Sequence, residues 1–301
     1  VKILLLGKNG QVGWELQRAL APLGEVIALD RHGASGLCGD LSNLDGLAAT
    51  VRHIKPNVIV NAAAYTAVDK AESDQISAAL VNAEAPSLLA QEAKAIGAWL
   101  IHYSTDYVFD GSGEHRWQEA APTGPLSVYG RTKLEGEQGI LSSGAMAIVL
   151  RTSWVYAARG HNFAKTMLRL AAERNTLSVV ADQFGAPTGA ELIADVTALI
   201  MRRIAAERDD SQLQGIYHLA ASGETSWYGF ARFVLAHAQR SGITLKVTAD
   251  QIAPISTEAY PVPAPRPRNS RLAVDKLENT FNLKMPLWEQ GVQRMLDEIQ
   301  Q

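Results

Sequence analysis

The chain has 301 residues, 47% of them hydrophobic and 20% charged, with a formal net charge of −3; that length suits one or two compact units, and the absence of a basic excess argues against nucleic acid or an anionic membrane as the main partner. Cys38 is the single cysteine, which excludes an intrachain disulfide and a cysteine-rich metal site. The longest apolar runs are strand-length, short of the roughly 20 residues a membrane helix needs, and Val1–Gly10 run into a strand and a glycine loop rather than a cleavable signal, so a cytoplasmic protein is expected.

Lys2–Leu6 is an apolar run stopped by Gly7, the pattern of a strand buried on both faces. Gln11–Ala21 carries apolar residues at Val12, Leu16, Ala19 and Leu20, a helical spacing. A second strand is predicted at Val26–Leu29, ending in Asp30, and a helix from Asn43 as N-cap to just before Pro56. Val58–Val60 is a buried strand, Ile76–Ile96 a helix, and Trp99–Tyr103 a strand that ends in Ser104-Thr105-Asp106. A helix around Leu126–Leu141, a strand at Ala147–Arg151 and a helix after Asn162 continue the alternation. Such alternation predicts an α/β fold, a Rossmann-type doubly wound parallel sheet. Beyond about Thr176 the order loosens: a strand at Gly215–Leu219, a helix after Ser226 and the Pro261–Pro267 stretch suggest a smaller C-terminal α/β cap. Residues 1–175 are thus expected to form the cofactor-binding unit, and 176–301 mainly a substrate-binding cap with some segments returning to the first.

Gly7-Lys8-Asn9-Gly10-Gln11-Val12-Gly13 is G-x-x-G-x-x-G between a strand and a helix. Glycines there permit a sharp turn and close approach of a pyrophosphate, while the helix start offers free N–H groups and a positive dipole end. Asp30, near the expected distance at the end of the next strand, can accept from an adenosine ribose hydroxyl; Arg31 beside it can face a 2′-phosphate, so NADH and NADPH both stay open. Asp40, with Leu41 next to it, is the expected adenine-side contact. Asn61-Ala62-Ala63-Ala64-Tyr65 follows the next strand, and Ala63, Ala64 and Tyr65 are expected along the diphosphate and nicotinamide ribose.

Tyr129-Gly130-Arg131-Thr132-Lys133 is Y-x-x-x-K on a predicted helix, which puts phenol and amine on one face. A free tyrosine has a pKa of about 10, and a neighbouring cation is expected to lower it toward the working range. Lys133 can also bond the nicotinamide ribose, and Thr105, at a strand end, offers a hydroxyl to a substrate carbonyl beside Tyr129.

Gly7–Gly13, Asn61–Ala64, Ser104-Thr105-Asp106-Tyr107-Val108-Phe109 and Tyr129–Lys133 together resemble the extended short-chain dehydrogenase/reductases. Arg151-Thr152-Ser153-Trp154-Val155-Tyr156, Asn162-Phe163, Asp182–Thr188 and Arg266-Pro267-Arg268-Asn269-Ser270-Arg271-Leu272 narrow the resemblance to the dTDP-4-dehydrorhamnose reductases, over essentially the whole chain. The resemblance implies reduction of the C4 ketone of a dTDP-4-keto-6-deoxysugar with NADPH or NADH, a triad of Thr105, Tyr129 and Lys133, and sugar-nucleotide contacts from Thr105, Asp106 and Trp154. Arg266 or Arg268 suits the diphosphate chemically. Related dehydratases carry an Asp-Glu pair after the active-site threonine; here Asp106-Tyr107 stands in its place, which favours plain reduction. Some members of the family form a homodimer through magnesium bound by glutamates, and the matching positions are Glu15, Glu191 and Glu298; the alternative for these is a solvated helix face. Two other readings share the cofactor loop: reduction or epimerisation of another nucleotide deoxysugar, and a non-catalytic cofactor-binding subunit.

Overall fold

The computed structural model describes residues 1–206 and 211–299. Six parallel strands form the central sheet in the order β10-β5-β4-β3-β1-β2. They are β1 (Lys2–Leu6), β2 (Glu25–Leu29), β3 (Val58–Asn61), β4 (Trp99–Thr105), β5 (Ala147–Thr152) and, after the short strands β6 (Val155–Tyr156), β7 (Ser178–Val180), β8 (Phe184–Gly185) and β9 (Thr188–Gly189), β10 (Gly215–His218). The strands are mostly apolar because both faces are covered, with polar residues gathered toward their carboxyl ends. Ile3 and Leu5 enter one core layer, Leu4 and Leu6 the other, and β3, β4 and β5 alternate in the same way.

One face packs against helices α2 (Leu44–Ile54), α5 (Ala85–Ile96) and α6 (Val128–Ser143); the other carries α1 (Gln11–Leu20) and α8 (Ala190–Ala206), which lie on each other. Asn43 caps α2, its side chain accepting from Gly46 N–H at 3.0 Å, a contact worth about 1 kcal/mol. The expected helix Ile76–Ile96 is present without a break but widens to a π-helical turn in its middle. Two short helices, α3 (Val68–Ala71) and α4 (Gln75–Ala79), lead into a π-helical turn at Leu80–Glu84 before α5. That wide turn brings Asn82, fully buried, against Tyr65, whose N–H it accepts at 2.9 Å and whose carbonyl it bonds at 3.1 Å.

Chain order and spatial order part company after α7 (Phe163–Glu173). β10 joins the central sheet beside β5, and α8 covers it, so both belong to the Rossmann layers although they lie late in the sequence. A third apolar cluster unites α7, α9 (Trp227–Arg240, after β11 at Thr225–Ser226) and α11 (Trp288–Ile299). Phe230, Leu235, Trp288 and Val292 are its buried centre. β12 (Ala253–Ile255) pairs with β7, and α10 (Asp275–Phe281) returns to the first core through Leu277.

Candidate active site

The strand order turns away in opposite directions from β1, toward β2 and toward β3, and the crevice opens at the carboxyl ends of those strands. There a cleft of about 1060 Å³ runs from Asp30 to Trp227. Gly7 sits at its base with φ +87°, and a Cβ on it would come within 2.7 Å of the Ala63 nitrogen. Gly13 lies behind, where a Cβ would strike the Gly7 carbonyl at 2.0 Å; it packs helix on strand rather than lining the cleft. Gly10, Gln11 and Val12 present the start of α1 to the cleft, and the helix has no side-chain cap. This cradle, closed to any side chain, fits a dinucleotide pyrophosphate.

At one rim Asp30 accepts from Asn9 Nδ2 at 2.8 Å and from His32 N–H at 2.9 Å, with Lys8 Nζ at 3.6 Å. The backbone bond from His32 and the Lys8 charge hold its carboxyl below the usual range. Arg31 reaches Asp40, which also accepts from Ser42, and Leu41 lies between. Two carboxylates, each with its own cation, make a rim that suits either a ribose hydroxyl or a 2′-phosphate. Ala63, Ala64 and Tyr65 line the middle, and Tyr65 donates to Asp74 at 3.0 Å.

The reacting groups converge from β4 and α6. Thr105 ends β4 and its hydroxyl accepts from Tyr107 N–H at 3.2 Å. Ser127 caps α6 through Gly130 N–H, and Glu72 accepts the Val128 N–H at 2.8 Å. Gly130 lets α6 pass the Tyr107 carbonyl, which a Cβ would meet at 2.2 Å. Tyr129 and Lys133 therefore enter the cleft one turn apart, with the Tyr129 phenol near enough to Thr105 to feel its hydroxyl. A buried ion pair pins the same helix to β5: Arg151 donates to both oxygens of Glu137, at 2.9 and 2.6 Å.

The electrostatics correct one expectation. Burial pushes the Tyr129 phenol up to about 12, against the smaller opposing effect of the Thr105 bond. Lys133 does not draw it down, because its amine is turned to the Tyr103 carbonyl at 2.6 Å and to His102 Nε2 at 3.1 Å. Burial lowers Lys133 itself to about 8, and Glu137 partly offsets this. A phenol with a raised pKa still holds its proton at neutral pH and releases it to a stronger base, such as a developing alkoxide.

The far end is polar and aromatic. Burial raises Asp106 to about 6, opposed by bonds from Ser270 and Thr105. Its Oδ2, with Ser104 Oγ, Thr152 Oγ1 and Ser153 Oγ, has no hydrogen-bond partner among the described residues. All four residues line the cleft, where an unpartnered buried polar atom is costly. Trp154 has φ +50°, unusual for a bulky residue, and stacks on Trp227 at 3.7 Å. Gly185 makes room for that ring.

Arg266 and Arg268 lie outside this lining. Arg266 pairs with Asp69 at 2.8 Å, close enough to the cleft that its charge reaches Tyr107. Arg268 is matched by Glu258 and Asp182. Glu15, Glu191 and Glu298 line a separate cavity of about 460 Å³. Within one chain, Glu191 is bound to Arg294 at 2.6 Å and Glu15 to Arg18 at 3.4 Å. Among the described residues no three His, Cys, Asp or Glu are placed to hold a metal.

Sequence reasoning missed Asn82, Trp227, His102 and the partnerless hydroxyls. A polar residue in an otherwise apolar strand was the available signal for His102; Trp227 had only its place after the Ser226 cap.

A family model described as the RmlD substrate binding domain matches residues 1–301. The dTDP-4-dehydrorhamnose reductase of Salmonella typhimurium is 54% identical over 299 residues, 99% of this chain and 98% of that one. The Burkholderia thailandensis protein of the same name is 47% identical over 293 residues, covering 97% of both. Among solved structures, a dTDP-4-dehydrorhamnose reductase from Clostridium acetobutylicum superposes over 100% of both chains with TM-score 0.88 at 35% identity. The Bacillus anthracis reductase, solved in complex with NADP, covers 98% of both with TM-score 0.85 at 33% identity. With the glycine cradle, the Thr105–Tyr129–Lys133 convergence and full-length matches of this kind, the chain belongs to the dTDP-4-dehydrorhamnose reductase family.

Proposed function

We propose that the chain reduces the C4 ketone of dTDP-4-dehydro-L-rhamnose to dTDP-L-rhamnose, with NADPH or NADH. The observation that carries this reading is the meeting of the Tyr129 phenol and the Thr105 hydroxyl in the cleft that the glycine cradle opens. The reduced nicotinamide, when bound, supplies the hydride. Thr105, turning its one hydroxyl hydrogen away from Asp106 Oδ1, donates to the C4 oxygen and orients the carbonyl. Tyr129 then gives its proton to that oxygen as negative charge develops there, which its raised pKa permits without prior ionisation. Lys133, fixed by the Tyr103 carbonyl, is held one turn below to bond the nicotinamide ribose.

Reduction rather than dehydration follows from the residue after Asp106. Tyr107 fills the position where elimination needs a second carboxylate, and its ring packs edge-on to Tyr129 at 5.5 Å. The Trp154–Trp227 stack offers a broad apolar face to the deoxysugar, and Asp106 an acceptor for its hydroxyls. Of the two arginines, Arg266 is assigned to the diphosphate, since its charge reaches the cleft while Arg268 is committed to two carboxylates. Both ligands are charged and do not cross membranes unaided, so a cytoplasmic location goes with this reading; among the described residues no helix is long and apolar enough to cross a membrane. The test is oxidation of NADPH and NADH against a panel of nucleotide 4-ketosugars. Consumption with the dTDP-linked 6-deoxy-4-ketosugar is expected, and equal or better turnover of an unrelated nucleotide sugar would overturn the substrate assignment.

A further inference from the structure

β4 carries a histidine among aliphatic and aromatic neighbours. His102 is 1% exposed. Strand alternation turns it to the α6 face, the side of Leu100, and the sheet register sets it opposite Asn61 of β3. Each ring nitrogen has a partner. Nε2 lies 3.1 Å from Lys133 Nζ, and Nδ1 lies 3.1 Å from Asn61 Nδ2. The mechanism above uses Lys133 and leaves His102 without a task.

Counting hydrogens assigns one. Asn61 Oδ1 accepts the Ala63 N–H at 3.2 Å, which fixes the amide and leaves its donor nitrogen against His102 Nδ1. Nδ1 therefore accepts. Burial, and then the charge of Lys133, hold the imidazole well below its ordinary pKa, so the ring is neutral and carries its one hydrogen on Nε2. That N–H points at Lys133 Nζ. An uncharged amine accepts it, whereas an ammonium has only donors and is opposed by it.

The groups around Lys133 are few. On β4 the Tyr103 carbonyl at 2.6 Å supports the ammonium. On α6 the Glu137 charge does the same from one turn away, but both of its oxygens are held by Arg151 of β5. Tyr129, one turn the other way, is protonated at neutral pH. From the π-helical turn, Asn82 bonds Thr132 at 3.3 Å.

We infer that His102 is a positioning residue for Lys133: with Asn61 it forms a buried file of hydrogen bonds from the cofactor-lining backbone at Ala63 to the amine, and it favours the uncharged amine over the ammonium. The inference rests on the role of Lys133 proposed above. Only a proton moves, between Nζ and the cleft; His102 and Asn61 keep their own. The state of Lys133 is thereby tied to the backbone that seats the cofactor.

The first test uses the intact protein. Nitrogen-15 NMR of its imidazoles should find His102 with hydrogen on Nε2 and a bare Nδ1 from about pH 6 to 9; a hydrogen on Nδ1 overturns the inference. The second is the pH profile of kcat/KM in His102→Gln, where a carboxamide carbonyl can face Nζ. Its alkaline limb should move up by about one pH unit, while KM for NADPH changes less than twofold. An unmoved limb overturns the inference even if the rate falls. Should that variant not fold, the tautomer decides alone. A wild-type chain that leaves ketosugar unreduced would defeat the proposed function, and the NMR result would still stand or fall by itself.

Discussion

At the cofactor end of the cleft the walls are backbone: Gly7, Gly10 and the start of α1 on one side, Ala63 and Ala64 on the other. At the sugar end they are side chains drawn from distant stretches, with Trp154 stacked on Trp227 and Ser270 bonded to Asp106. The first arrangement leaves no room for a Cβ at Gly7 and, in the function proposed, holds the pyrophosphate common to all dinucleotides. The second is assembled largely from segments late in the chain and, in the function proposed, selects the sugar. Substitutions at the junction should therefore alter turnover, those at the far end KM, and those at the cradle the binding of either cofactor.

The junction should show the largest effect. Tyr129→Phe keeps the ring and removes the proton, so kcat should fall by about 10²–10⁴-fold, with NADPH affinity by fluorescence titration unchanged. Equal turnover would assign proton transfer elsewhere. Next comes the support beneath it: Glu137→Gln leaves Arg151 charged and buried, which should lower stability by about 3–5 kcal/mol in denaturant titrations. At the sugar end, Trp154→Ala should raise KM for the sugar nucleotide by about tenfold through the lost stacking face, and leave KM for NADPH alone; a matched change in both would merge the two ends.

pH separates the ends again. The ammonium of Lys133 is the form that donates more strongly to the nicotinamide ribose, with hydrogens to spare beyond the one held by the Tyr103 carbonyl, and its pKa is lowered to about 8, so kcat/KM should be full below that value and decline above it. Asp106, raised to about 6, loses its charge below that value, so KM for the sugar should change on the acid side. A limb near the ordinary lysine pKa of about 10 would contradict the burial of Lys133. The smallest effect is expected from metal removal: with Glu15 and Glu191 already paired to arginines, EDTA should leave the light-scattering mass unchanged. A dimer that dissociates on chelation would restore the glutamates as ligands.

The cofactor end was readable in the sequence because its determinants are local. Gly7 to Gly13 lie in one turn between strand and helix, and Tyr129 and Lys133 on one helix face, so spacing alone places them. Other features depended on contacts far apart in the chain. β10 joins β5 across more than sixty residues, Trp227 reaches Trp154, and Arg266 meets Asp69; no periodicity encodes such pairings. The π-helical turn that aims Asn82 has no propensity signature either, since Leu80–Glu84 reads as ordinary helix. The expected fall in the Tyr129 pKa failed for a related reason: helical spacing gave the nearness of Lys133, but not that its amine would be claimed by Tyr103 and His102.

Transfer of deuterium from 4-deuterated NADPH to the sugar tests the central claim most directly. The chain, incubated with dTDP-4-dehydro-L-rhamnose and this cofactor, should yield dTDP-L-rhamnose labelled at C4, and the Tyr129→Phe variant should form it far more slowly. Oxidised cofactor with no label at C4, or label at the wild-type rate in the variant, would contradict it.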